Sequence, residues 1–159
     1  MRPPSLRGRV GRGDGKEKRL ELAMDRAALE AFLARDFGQV AADFAVERAD
    51  AAGIALRLKV AERHLRPGGT VSGPSIFALA DVAMYLAILA RIGPVALAVT
   101  TNCAVDFLRK PEAGRDLLAE ARLLKLGRRL AVGDVLVFSE GVEEPVARAG
   151  LTYSIPPRG

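Results

Sequence analysis

The stretch SGPSIFALADVAMYLAILAR, residues 72–91, is almost entirely apolar and carries one carboxylate, Asp81, in its middle. Pro74 suits the first turn of a helix, so this stretch predicts one long helix that begins there. A charge at mid-membrane is costly, and the breaker pair Gly93-Pro94 follows, so a buried core helix is favoured over a membrane span. The fold must then cover this helix on nearly every side.

The sequence on both sides of the helix predicts strands. GIALRLKVAE, residues 53–62, alternates apolar and polar residues with period two, and VAADFAVERAD, residues 40–50, is a weaker strand before it. After the helix, VALAVTTNCAVDFLR, DLLAEARLLKLG, RLAVGDVLVFSE and VARAGLTYSIP predict four strands in succession, which imply an antiparallel sheet. With a short amphipathic helix at residues 25–37, the prediction is an α+β fold in which a curved antiparallel sheet wraps around one long central helix.

Charge divides the chain into two unequal parts. The first 21 residues hold seven Lys or Arg against three Asp or Glu, a net +4, whereas the remainder carries about +1 of the total +5. We therefore predict a flexible basic extension at residues 1–23 and a single domain at residues 24–159, with Met24 a plausible start. The extension is either a nucleic-acid arm or a bland tail, and the second is favoured. It lacks the apolar core of a secretory signal, so we expect a cytoplasmic protein with no membrane or nucleic-acid partner.

One cysteine and one histidine limit the chemistry that the chain can perform. Cys103 alone can form no internal disulfide, and its apolar neighbours favour a small core residue. With His64 as the sole histidine, a zinc site and a Ser-His-Asp triad are both disfavoured. We expect no metal and no cofactor.

Asp81 is the strongest candidate for function. A carboxylate inside an apolar helix costs several kcal/mol unless it is paired or reaches solvent. Asp81 either lies on a solvent-facing side of the helix or at an oligomer interface, or it enters a substrate pocket as a general base or nucleophile. The helix start at Gly73 offers free backbone N–H groups that suit an oxyanion. Eight residues separate the two, about 12 Å along a helix, so one reaction could use both only across a dimer.

Two segments resemble a known family. HLRPGGTVSGPSIFALADVAMY, residues 64–85, resembles the segment HxNxxGxxHGGxxxxLAD of hotdog-fold acyl-CoA thioesterases of the phenylacetate-degradation type. VDFLRKPEAGRDLLAEARLLKLGRRLAVGDVLVFSEG, residues 105–141, resembles the downstream strands of that family, with FLRKP and LGRR at the family's spacing. The resemblance spans roughly residues 38–156. It implies a hotdog fold, hydrolysis of acyl-CoA thioesters and a homodimer or homotetramer.

The resemblance also implies roles for individual residues. Asp81 matches the catalytic carboxylate, which attacks the thioester directly or activates water, and Gly73 matches the glycine whose N–H polarises the carbonyl across the dimer. The implied substrate-binding residues are His64, Arg66, Ser72, Tyr85, Thr101 and Asn102. The implied coenzyme A ligands are Arg109, Lys110, Arg128 and Arg129. Several of these residues also have a simpler interpretation: a surface position for His64, packing for Tyr85, local hydrogen bonds for the two strand residues, and solvated strand ends for the four basic residues predicted to bind coenzyme A.

Two departures from the family pattern leave an alternative function open. Ser72 stands where the family has a histidine, and Arg66 stands where it has an asparagine. These changes affect the part of the site that positions water, and they favour a non-catalytic acyl-CoA-binding protein as the alternative. A hotdog dehydratase is less favoured because its helix would need a histidine.

Overall fold

The computed structural model describes residues 21–157. In chain order the elements are helix α1 (Arg26–Asp36), strands β1 (Phe44–Asp50) and β2 (Gly53–Leu58), helix α2 (Gly73–Ile92), and strands β3 (Val99–Phe107), β4 (Leu117–Leu126), β5 (Leu130–Ser139) and β6 (Pro145–Ser154). Each helix and strand predicted from the sequence is present. The basic extension predicted for residues 1–23 lies, up to residue 20, outside the described residues.

The six strands form one antiparallel sheet in the order β1-β2-β4-β5-β6-β3. Strands β1 and β3 are therefore its two edges. In β2, the alternating Ile54, Leu56 and Leu58 are fully buried, as their period-two spacing predicts. The sheet curves around α2, which confirms the predicted hotdog architecture.

Helix α2 is the core of the domain and not a membrane span. It is the one helix in the described part of the chain that is long and apolar enough to cross a membrane, but two thirds of that apolar window is buried inside the domain. Ser72 caps its first turn and Gly93, with φ of 94°, ends it. Burial is nearly continuous from Leu79 onward, while the first turns leave Phe77 partly exposed. The side of α2 that the sheet leaves uncovered therefore runs from Phe77 to Asp81, which is only partly buried.

Strand β3 contains a bulge that decides which of its side chains face α2. Its register against β6 shifts between Thr100 and Asn102, so one extra residue is accommodated at Thr101. Thr100 pairs with Tyr153, whose side chain is buried on the helix side of the sheet. A one-residue shift reverses the face of each residue beyond it, so the bulge places Thr100 toward the helix.

Candidate active site

The Asp81 carboxylate is anchored by two hydroxyl groups from the sheet. Its Oδ1 atom accepts hydrogen bonds from Thr100 Oγ1 on β3 and from the Tyr153 hydroxyl on β6, both at 2.6 Å. Hydrogen bonds of hydroxyls to an ionised carboxylate are characteristically this short and are stronger than neutral ones. The desolvation cost expected for a carboxylate in an apolar helix is thereby offset by side chains from two different strands.

The second oxygen of Asp81 is not held by the protein in the described part of the chain. No donor among the described residues reaches Oδ2, and no buried side-chain polar atom in that part of the chain lacks a partner. It follows that Oδ2 is open to solvent. The carboxylate thus has one oxygen held by the protein and one available to a substrate or a water molecule.

The anchoring phenol of Tyr153 is itself tightly held. Only 3% of Tyr153 is exposed, its ring stacks on that of Tyr85 with centroids 6.2 Å apart, and its hydroxyl also lies 2.9 Å from the Asp81 backbone carbonyl. Burial, reinforced by the hydrogen bond to Asp81, raises the pKa of Tyr153 well above its usual range. The phenol therefore stays protonated and remains a donor.

Asp81 lies in the wall of an open cavity of about 320 Å³. The cavity is lined mainly by apolar and aromatic side chains, among them Phe37, Val82, Tyr85 and Val99. The Tyr85 hydroxyl donates to the Ala96 carbonyl at 2.9 Å, and burial, then the nearby charge of Asp36, raises its pKa. Tyr85 therefore contributes a ring to the cavity while its hydroxyl is bonded to the backbone.

Gly73 is the first residue of α2 and lies eight residues before Asp81. Ser72 Oγ accepts from the Ser75 N–H, whereas the first N–H groups of any α-helix have no acceptor within the helix. A Cβ added at Gly73 would lie 3.3 Å from Cζ of Phe107, the last residue of β3. Gly73 is therefore adjacent to the end of β3, whereas Asp81 contacts its beginning.

The loop before α2 uses His64 as a structural support. His64 Nδ1 accepts from the Ala61 N–H at 2.9 Å, and the His64 carbonyl accepts from the Ser72 N–H at 2.8 Å. Burial, with a smaller contribution from the Arg63 cation, lowers the pKa of His64, so the ring is neutral near pH 7. Arg66 lies exposed in the same loop, and its backbone N–H donates to the Thr70 carbonyl.

Thr101 and Asn102 do not approach Asp81 within this chain. Both are exposed, and the Thr101 hydroxyl donates to the Thr152 carbonyl at 3.3 Å. Their predicted substrate-binding role stays a prediction, and the hydroxyl that reaches the carboxylate is that of the preceding residue, Thr100. Tyr153 was also missed, because a tyrosine on a strand alternating with buried residues is normally interpreted as core packing.

The four basic residues predicted to bind coenzyme A form two groups at opposite ends of the sheet. Arg109, whose Nε donates to the Pro145 carbonyl, and Lys110 follow the end of β3. Arg128 and Arg129 lie in the β4–β5 turn and line a separate cavity of about 420 Å³. The register places this turn beside the start of β3, since both Leu130 and Val99 pair with Ser154.

The described residues offer no candidate metal centre. Residues 21–157 contain no group of three or more His, Cys, Asp or Glu side chains placed to hold a metal ion. The polar groups of the site are the Asp81 carboxylate, the Thr100 and Tyr153 hydroxyls and the N–H groups at the start of α2.

Comparison with known proteins identifies the family. Residues 68–146 match the sequence pattern of the Thioesterase superfamily. A protein of Pseudomonas aeruginosa named "Putative esterase PA0474" is 30% identical over 103 residues, 65% of this chain and 75% of that protein. The chain belongs to the thioesterase superfamily and has its hotdog fold.

Two solved structures give the same result. A "putative thioesterase" from Silicibacter sp. TM1040 is 60% identical, with 88% of this chain and 97% of that chain covered at a TM-score of 0.81. A variant of the phenylacetic acid degradation protein PaaI from Thermus thermophilus is 32% identical, with 75% and 99% covered and a TM-score of 0.64. The resemblance to the phenylacetate-degradation type of thioesterase is thereby confirmed.

Proposed function

We propose that this protein hydrolyses acyl-CoA thioesters to a free acid and coenzyme A. The observation that carries the proposal is the Asp81 carboxylate, which has one oxygen held by two hydroxyls and the other free at the wall of a largely apolar cavity. An apolar cavity with a few polar groups is the usual form of a small-molecule site, and an acyl group suits its lining.

The second half of the site would come from a partner subunit through strand β3. This strand is a sheet edge with unpaired backbone groups, and it exposes 56% of Val99 and 58% of Phe107. Exposed, apolar edge strands are prone to pair with another chain. A homodimer in which two copies of β3 pair antiparallel about a two-fold axis near Ala104 would cover both side chains.

This pairing would also assemble the two halves of the site. Cys103 would lie opposite the partner's Val105, and beyond the one-residue bulge Thr100 would lie opposite the partner's Phe107. Since Thr100 contacts Asp81 and the Phe107 ring lies beside Gly73, each carboxylate would face the partner's helix start. The roughly 12 Å that separates the two groups along one helix is thus avoided by using two chains.

The reaction has two balanced routes through these groups. As a general base, Asp81 takes a proton from water while the water oxygen attacks the thioester carbon, and the Gly73 N–H of the other chain donates to the oxyanion. Collapse of this tetrahedral intermediate breaks the C–S bond, and the leaving thiolate takes from Asp81 the proton that came from water. As a nucleophile, Asp81 Oδ2 attacks the carbon directly, the C–S bond breaks and the coenzyme A thiolate leaves. Water then hydrolyses the resulting anhydride to the free acid and the Asp81 carboxylate, and its second proton goes to the thiolate.

Antiparallel pairing would also unite the basic residues. The Arg109 end of one β3 would lie beside the Val99 end of its partner, where the partner's Arg128 and Arg129 are found. Guanidinium and ammonium groups are the usual ligands of phosphates, and coenzyme A carries three. The proposed nucleotide site therefore combines Arg109 and Lys110 of one chain with Arg128 and Arg129 of the other.

One observation supports the alternative, a non-catalytic acyl-CoA-binding protein. Ser72 Oγ is occupied as the cap of α2, accepting from the Ser75 N–H, so this hydroxyl is not free to replace the family's histidine. Binding without turnover would result if that histidine were indispensable for orienting the thioester.

Thiol release from a panel of short-chain, medium-chain and aryl acyl-CoAs distinguishes the two functions. The Asp81→Asn variant keeps an oxygen that can accept from both hydroxyls, so it should fold but lose activity by at least about 10²-fold. Asp134→Asn, which removes an exposed carboxylate of β5 that pairs with Arg122 of β4, is the matched control and should retain activity. A folded wild-type protein that binds the acyl-CoAs but releases no thiol would instead establish the binding function.

A further inference from the structure

The geometry points to Tyr153 as a positioning residue that determines which oxygen of Asp81 reacts. The inference rests on the proposed thioesterase function and adds a residue on the last strand of the sheet. Tyr153 does not reach the free oxygen, so it acts on the reaction only through the carboxylate.

A carboxylate at the end of a short side chain needs such a restraint. The last torsion of aspartate has a broad, roughly two-fold energy profile, so its two oxygens exchange easily when nothing holds them. Here both hydroxyl donors converge on Oδ1, and their bonds would be lost if the group rotated. Oδ2 is thereby kept at the open side of the site, whether it takes a proton from water or attacks the thioester.

Of the two donors, Tyr153 is the more rigid. Its ring is buried and stacked on Tyr85, and its hydroxyl lies close to both the side chain and the backbone carbonyl of Asp81. The phenol therefore fixes the carboxylate relative to the axis of α2. Thr100 donates from the edge strand β3, which is also the proposed dimer strand.

Among the described residues, no cation helps to stabilise the charge on Asp81. The ionisable side chains around it are Tyr153 of β6, Cys103 of β3, Tyr85 of α2 and Asp36 at the end of α1. None is basic, and no salt bridge to Asp81 exists within residues 21–157. The two hydroxyls thus supply the hydrogen bonds that hold the Asp81 carboxylate, so removing the Tyr153 hydroxyl should loosen its orientation.

Tyr153→Phe tests the inference because it removes the hydroxyl and keeps the stacked ring. We expect kcat to fall about tenfold or more, in line with the loss of one hydrogen bond to a charged group. KM should change less than about twofold because the hydroxyl does not touch the substrate.

Tyr85→Phe is the matched control. It also removes a phenol hydroxyl next to the site, but one that is bonded to the Ala96 carbonyl instead of Asp81. Whatever its effect on KM, it should leave both hydrogen bonds to Asp81 in place. A folded Tyr153→Phe protein that keeps the wild-type kcat would overturn the inference. If Tyr153→Phe does not fold, Thr100→Val removes the other donor to the same oxygen, and it must lower kcat as well.

A second readout separates this inference from the proposed function. The side-chain carboxyl ¹³C signal of Asp81, assigned by its loss in Asp81→Asn, can be recorded at one fixed pH without any substrate. It should move in Tyr153→Phe, which loses a hydrogen bond to the carboxylate, and stay in place in Tyr85→Phe. A wild-type protein without thioesterase activity would refute the proposed function, whereas an Asp81 signal that does not move in Tyr153→Phe would refute the positioning role.

Discussion

Val105→Cys should lock the proposed dimer covalently. In the antiparallel pairing about Ala104, the introduced thiol of one chain lies opposite Cys103 of the other, and the two-fold axis creates this contact twice. Both positions are half-buried and pair in β6 with residues that face α2, so the two thiols lie on the same face of the joined sheet. A cross-link between them would therefore need no change of strand orientation.

The expected distances distinguish this register from others. Residues directly opposite in an antiparallel pair have Cα atoms about 4.5–5.5 Å apart, within the range of about 4.4–6.8 Å that a disulfide requires. The two native Cys103 residues would be diagonal neighbours, about 7–8 Å apart, which is too far. The wild-type protein should therefore stay unlinked under conditions in which Val105→Cys becomes a covalent dimer.

Non-reducing gel electrophoresis after mild oxidation at pH 9 provides the assay. Alkaline conditions are needed because burial, with a contribution from Asp81, raises the pKa of the Cys103 thiol, and the thiolate is the reactive form. Combining Val105→Cys with Cys103→Ala should abolish the cross-link. If that double variant cross-links as well as the single one, or if the single one stays monomeric on the gel, the register about Ala104 is incorrect.

Three further changes probe the helix start, the nucleotide site and the preceding loop. Gly73→Ala brings a Cβ to 3.3 Å from the Phe107 ring, which is exposed enough to shift, so thermal unfolding should change little while kcat/KM falls about tenfold or more. Replacing Arg128 and Arg129 by alanine should raise KM about tenfold for an acyl-CoA but not for the matching acyl-pantetheine, which lacks the nucleotide. Burial lowers the pKa of His64, so its stabilising contribution should be present above the ordinary value near 6.5 and decline as pH falls through the lowered folded-state value. Unfolding temperatures measured from pH 8 to 5 should show this decline in the wild type, and His64→Asn should reduce it.

Much of the fold follows from local patterns in the sequence. The long apolar helix, the period-two strands and the acidic cap at Asp25 are each determined by neighbouring residues, and each was predicted with nearly correct bounds. The candidate carboxylate could also be predicted, because a single charge in an apolar helix requires an explanation wherever the helix lies. The sheet order could not be read in the same way, since it depends on contacts between distant strands.

The side chains that hold Asp81 depend on such distant contacts. Tyr153 lies 72 residues from Asp81, and only the antiparallel arrangement of the sheet brings them together. One bulged residue decides whether Thr100 or Thr101 faces α2. The sequence of two adjacent threonines does not show where that bulge lies. A period-two pattern cannot reveal which of two neighbours faces the helix when the register itself shifts between them.

The proposed division of the site between two chains also bears on the departures from the family pattern. Ser72 and Arg66 both lie at or before the start of α2, on the proposed oxyanion half, whereas both hydroxyls that hold Asp81 belong to its own chain. Hydrolysis weakened by these replacements should therefore be weakened through orientation of the thioester, with the carboxylate still in place. A protein with that defect would keep its slow turnover dependent on both Asp81 and Tyr153, whereas a protein specialised for binding would tolerate the loss of either.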